Sequence, residues 1–125
     1  MTERTGRVYT PEEADATLPE LRALLERVRA NRQVILREVE RIKATVARDG
    51  GGHGGKGYWE ASAALKADVQ SLAERDILLR DPETGLVDFP AERDGRPIFL
   101  CWRMGEERVG HWHEIHSGFV GRQPL

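Results

Sequence analysis

Between Cys101 and His116 the chain crowds its one cysteine, three of its four histidines (His111, His113 and His116) and two of its three tryptophans (Trp102 and Trp112). Asp88, Glu106 and Glu114 lie close by in sequence. Thiolate, imidazole and carboxylate together are the ligand set for a transition metal such as zinc or iron. A second chemistry makes Cys101 a nucleophile with His111 or His113 as its base, and that requires a lowered thiol pKa. A third reading has no chemistry: Cys101 is a small buried hydrophobe and the histidines hydrogen-bond within a half-buried sheet. The spacing matches none of the strong zinc signatures.

Whether these residues can meet depends on strand register. Asp94-Gly95 is a favoured pair for a two-residue hairpin turn, so Leu86–Glu92 and Arg96–Arg103 read as its two strands. Counting outward from Arg93 and Arg96 sets Phe89 opposite Leu100, Asp88 opposite Cys101 and Val87 opposite Trp102. If the turn at 104–108 sets Arg103 opposite Val109, the strand Val109–Glu114 places His111 beside Cys101 and His113 beside Phe99. Alternation then sorts the faces. Val87, Phe89, Ala91, Ile98, Leu100, Trp102 and Trp112 share an apolar face. Asp88, Phe99, Cys101, Arg103, His111 and His113 share the other. Ile77-Leu78-Leu79 reads as a first edge strand. A carboxylate within an apolar strand needs a partner, and Arg96, Arg103 or Arg122 could supply it for Asp88.

Two helices must carry this sheet. Thr10-Pro11-Glu12-Glu13 is a helix start with the elements of a capping box. Pro19 costs a helix one hydrogen bond, so the main helix is expected to begin near Leu18. From there Leu21, Leu25, Val28, Ile35, Val39, Ile42 and Val46 form a heptad seam with one polar break at Arg32. Such a helix is roughly 45 Å long, more than a domain of this size can cover. Six glycines interrupt the segment Asp49–Gly57. A second helix follows from about Tyr58 to Arg75, with Tyr58, Leu65, Val69, Leu72 and Leu79 near heptad spacing. Gly50 and Gly55-Lys56 imitate part of a phosphate-binding loop. Gly57 stands where that loop needs Ser or Thr, and a helix precedes it where a strand should. The segment reads as a hairpin turn.

The chain has 125 residues, 32% of them charged, and a net charge of -2. Mean hydropathy is -0.55. Near-neutral charge gives no footprint for nucleic acid. One cysteine and no long apolar run favour the cytoplasm and exclude a membrane partner.

The chain resembles a family of short bacterial and archaeal proteins catalogued as a domain of unknown function. The matching residues are Thr10 with Glu13-Ala14, Leu18-Pro19, Gly85-Leu-Val-Asp-Phe-Pro90, Asp94-Gly95-Arg96, Leu100-Cys-Trp102, Gly105-Glu106, Trp112-His-Glu114 and Gly118-Phe119 with Arg122. The resemblance implies that Asp88, Cys101, Glu106, His113 and Arg122 belong to the family pattern, and it implies no activity. The chain departs at His111, where an aromatic is expected, at His116, and at Asp76, where a helix-ending glycine is expected.

The expectation is an α+β protein, one domain over 1–125. A long helical hairpin (10–76, glycine-rich turn 49–57) packs on a three- to four-stranded antiparallel sheet with a C-terminal tail (77–125). The leading function is a non-catalytic interaction module, a homodimer or a partner of another protein through its helical seam. The alternative is a metal-binding protein or metal-dependent enzyme. Its ligands would be drawn from Asp88, Cys101, Glu106 and His113, with His111 as a further ligand and Glu114 and Arg122 as further functional candidates.

Overall fold

A computed structural model describes residues 6–49 and 56–125. The near-phosphate-loop segment 50–55 lies outside them. Helix α1 (Pro11–Asp49) and helix α2 (Lys56–Glu74) precede strands β1 (Leu78–Asp81), β2 (Leu86–Arg93), β3 (Arg96–Arg103), β4 (His111–Glu114) and β5 (Gln123–Pro124). All neighbouring strands are antiparallel, in the order β1-β2-β3-β4-β5. The α+β class and the hairpin-on-sheet arrangement are as expected. The fifth strand is new: two residues ending in proline carry no alternation to read.

The expected capping box starts α1. The Thr10 backbone N–H donates to Glu13 Oε1 (2.8 Å), and the Glu13 N–H donates to Thr10 Oγ1 (3.1 Å). The helix does not restart at Leu18 but runs unbroken through Pro19. Tertiary packing overrides the proline: Ala14, Leu18 and Leu21, on both sides of it, are buried in the core. The exposed Pro19 forfeits the bond its N–H would have made to the Asp15 carbonyl. Asp15 has a further task, since its Oδ1 accepts the Val109 N–H at 2.7 Å and ties the β3–β4 connection to α1.

The seam also differs in detail. Leu18, Leu21, Leu24, Leu25 and Val28 are buried, whereas Ile35, Val39 and Ile42 are half-buried and Val46 is exposed. Arg32 is not an unpaired seam residue: its Nη1 bonds Glu83 Oε2 at 2.6 Å, in the turn between β1 and β2. On α2 the inward stripe is Ala61, Leu65, Asp68 and Leu72, and Val69 is 44% exposed. Asp68 took an inward position because Arg27 meets it there with two hydrogen bonds, 3.1 and 3.2 Å. A polar residue in a seam hides the seam from a hydrophobicity count.

Asp76 occupies the left-handed position (φ 58°) where a glycine was expected. The Ile77 N–H reaches the Leu72 carbonyl and the Asp76 N–H reaches that of Ala73, the bond pair of a Schellman end to α2. An aspartate tolerates this backbone better than most residues. Its carboxylate also accepts the Arg7 N–H at 2.8 Å.

Both expected registers hold. Asp88 faces Cys101, Val87 faces Trp102, Cys101 faces His111 and Phe99 faces His113. Val87, Phe89, Ala91, Ile98, Leu100, Trp102 and Trp112 join Tyr9, Leu72, Ile77 and the buried residues of α1 in one apolar core. The sheet's other face therefore points away from the helices.

Candidate metal centre

On that other face Asp88, Cys101 and His113 are 2%, 0% and 1% exposed. One donor atom from each lies within 4.8 Å of the others. Three adjacent strands supply them: β2 gives Asp88, β3 gives Cys101 and β4 gives His113. The C-terminal tail runs beside them: it turns through residues 115–118, which with Phe119 line a cavity with Asp88 and His113, and passes through a short 3-10 helix (Phe119–Gly121) into β5, which pairs with β4. Gly121 makes that path possible, because a Cβ there would sit 2.5 Å from the Ser117 Cβ.

Hydrogen bonds fix the imidazole. His113 Nδ1 lies 2.7 Å from the Glu114 carbonyl oxygen, which can only accept, so Nδ1 carries a hydrogen. His113 Nε2 lies 3.0 Å from Asp88 Oδ1. With Nδ1 already a donor, one proton must lie between Nε2 and that carboxylate. The other oxygen of Asp88 accepts from Arg80 Nε at 2.9 Å. The partner of Asp88 is thus Arg80, and none of the three expected arginines. Arg80 was illegible because it is the extra residue of a bulge: Leu79 pairs with Val87 and Asp81 with Leu86, leaving Arg80 between them. Arg96 bonds Glu114 instead, through two contacts of 3.0 and 2.5 Å.

Glu106 stands apart from the three donors. Its carboxylate makes a two-pronged pair with Arg122 and accepts the Arg103 N–H at 2.8 Å. Burial pushes its pKa up, but the Arg122 hydrogen bond, the Arg103 N–H and the charges of Arg122 and His111 hold it below the usual carboxylate range. Its backbone carbonyl also accepts the Trp102 indole N–H at 3.1 Å. Arg122 Nη1 then reaches to 4.0 Å from Cys101 Sγ. His111 lies beside this pair, its Nδ1 3.9 Å from Glu106 Oε2 and, though buried, without a hydrogen-bond partner among the described residues. His116 is exposed and lines a cavity next to Asp88 and His113. The face thus carries a donor trio and, next to it, an arginine-glutamate clasp.

The Cys101 thiol is pushed from 9.0 up to about 11, first by burial and then by the Asp88 charge, with Arg122 opposing. That is the wrong direction for a nucleophile. Both ring nitrogens of His113 are committed elsewhere, so His113 is not placed to serve Cys101 as a base. A metal is different, because coordination removes the thiol proton outright. Zinc bonds of roughly 2.0–2.3 Å put tetrahedral donors roughly 3.3–3.8 Å apart. Asp88 Oδ1 and His113 Nε2, 3.0 Å apart, already stand near that spacing, and a separation at the 4.8 Å limit would contract by about 1 Å to reach it. The Nδ1–H to carbonyl bond is the outer support that ligating histidines use.

Fold and donor set together define a small α+β protein with a buried aspartate, cysteine and histidine converging on one point. The chain belongs to the uncharacterized conserved protein family DUF2203, whose family model matches residues 7–125. No curated protein and no solved structure matches it.

Proposed function

We propose that this chain is a metal-binding protein that holds one divalent transition metal, zinc first, on Asp88 Oδ1, Cys101 Sγ and His113 Nε2. The observation that carries the reading is the approach of these three buried donors to within 4.8 Å. Charge balance supports it. Without metal the Asp88–His113 pair with its shared proton is neutral, and so is the Cys101 thiol. With zinc, a carboxylate, a thiolate and a neutral imidazole again sum to zero. Two protons leave as one dication enters, so Arg80 and Arg122 see no added net charge. Glu106, His111, Glu114 and Arg122 are outside the ligand set in this reading. Elemental analysis of protein purified without a histidine tag tests it. One zinc per chain is expected, falling to background in Cys101→Ser. Sub-stoichiometric metal that is unchanged by that substitution would defeat the reading, and stoichiometric iron or nickel would reassign the metal.

Self-association is a second reading, favoured by a separate observation. Beyond Val28, the far part of the hairpin (29–47 of α1 with 57–68 of α2) buries only Ala61 among the described residues. Leu36, Val46 and Trp59 are exposed there, Trp59 at 65%. A second copy related by a two-fold axis would turn two such arms into a four-helix bundle.

A further inference from the structure

We infer that the metal's remaining coordination position takes a small oxyanion, the phosphate or carboxylate group of a small molecule. This inference rests on the metal reading above. Three protein ligands leave a tetrahedral ion one open position, the pattern of sites that bind water or substrate rather than of closed structural sites. Space for it exists. A cavity of about 330 Å3 touches Asp88 and His113 but not Cys101, so the thiol closes the back of the site and the other two ligands form its front.

The lining of that cavity selects for negative charge. Asp88 is its only acid, and metal neutralises it. Arg80 and His116 supply donors, while the Ser117 hydroxyl already donates to the Glu114 carbonyl at 3.3 Å. Arg80 spends Nε on Asp88 Oδ2 and its guanidinium lies over the Phe99 ring, 5.1 Å from the centroid, while its Nη groups make no hydrogen bond among the described residues. Phe119, also on the wall, is flanked by two further guanidinium groups, Arg122 at 4.5 Å and Arg103 at 5.1 Å from its ring centroid. With the metal and its three ligands summing to zero, Arg80 leaves the lining with a net positive charge, and behind Phe119 Arg122 is balanced by Glu106 while Arg103 adds a further positive charge. A site with that surplus binds an anion more readily than a neutral ligand. Arg80 is the residue assigned to it, one nitrogen orienting a metal ligand and the others free for a planar or tetrahedral oxyanion.

Cobalt(II) reports both steps in one cuvette. Cobalt-loaded protein should show a sulfur-to-metal charge-transfer band, and inorganic phosphate should then shift its visible ligand-field bands saturably. In Arg80→Gln the charge-transfer band should persist while phosphate binds about 10-fold or more weakly, the worth of one charge-assisted hydrogen bond. His116→Ala should weaken phosphate less and leave cobalt binding intact. A charge-transfer band whose visible partners ignore both phosphate and acetate would overturn the anion inference and leave the metal reading standing. Equal phosphate affinity in Arg80→Gln would overturn the assignment of Arg80. Absence of the charge-transfer band would remove the metal reading and this inference with it.

Discussion

The proton between His113 and Asp88 makes the site's chemistry countable at the level of single residues. Binding of zinc near neutral pH should release about two protons per ion, one from the pair and one from Cys101. Calorimetry in buffers of different ionisation enthalpy measures that number, and a value near zero would contradict the ligand set. The raised thiol pKa gives a second test without metal. Cys101 should react with a disulfide reagent at pH 7.5 far more slowly in native protein than in denatured protein, and prompt native labelling would contradict its burial. The linkage has a sign as well. The folded-state pKa is raised to about 11 from 9.0, so stability is unaffected below about 9 and falls as pH rises from there toward the folded value. From the sequence, His113 belongs to a half-buried sheet face, and the structure buries it further, to 1% exposure, with a bond to Asp88. His113→Ala should cost about 3–5 kcal/mol, the usual result of stripping one partner from a buried pair. A loss under 1 kcal/mol in a urea titration would mean that Asp88 finds another partner.

At the level of elements, the hairpin turn Asp94-Gly95 set the register of β2 on β3, and through it the meeting of Asp88 with Cys101. That much was legible because the turn chemistry is local and alternation does the rest. The second register was legible for the same reason once the length of the β3–β4 turn was assumed. Three things were not. The bulge at Arg80 breaks alternation, so no count along β1 could aim that side chain at Asp88. The clasp of Arg122 on Glu106 joins residues from a turn and a tail, where no period exists. The continuity of α1 through Pro19 depends on packing that local propensity does not contain. Two element-scale outcomes follow. Trp102→Ala, which empties the centre of the apolar face, should lower stability by about 3–5 kcal/mol, and a drop below 1 kcal/mol would mean the sheet does not pack on the helices as described. Pro19→Ala should raise the melting temperature, because it restores a donor on an exposed position of an intact helix. A lowered melting temperature would show that the proline shapes the helix rather than merely being tolerated.

For the molecule as a whole, the division of labour runs between the two faces of one small sheet. The face toward the helices holds the core. The opposite face gathers the residues whose types suit a metal, beside a cavity lined in part by residues 115–119. No helix among the described residues is long and apolar enough to cross a membrane. The far end of the hairpin adds a second, separable prediction: light scattering at micromolar concentration should report twice the chain mass. Trp59→Asp with Leu36→Asp should halve it while leaving metal binding unchanged, and a wild-type monomer would contradict self-association alone. Native mass spectrometry of zinc-titrated, tag-free protein addresses the metal claim most directly. It should show one zinc per chain, with the mass increment reduced by the displaced protons, and no retained zinc in Asp88→Asn, Cys101→Ser or His113→Gln. Zinc retained at full stoichiometry by all three variants, or not retained by the parent chain, would contradict a metal centre on Asp88, Cys101 and His113.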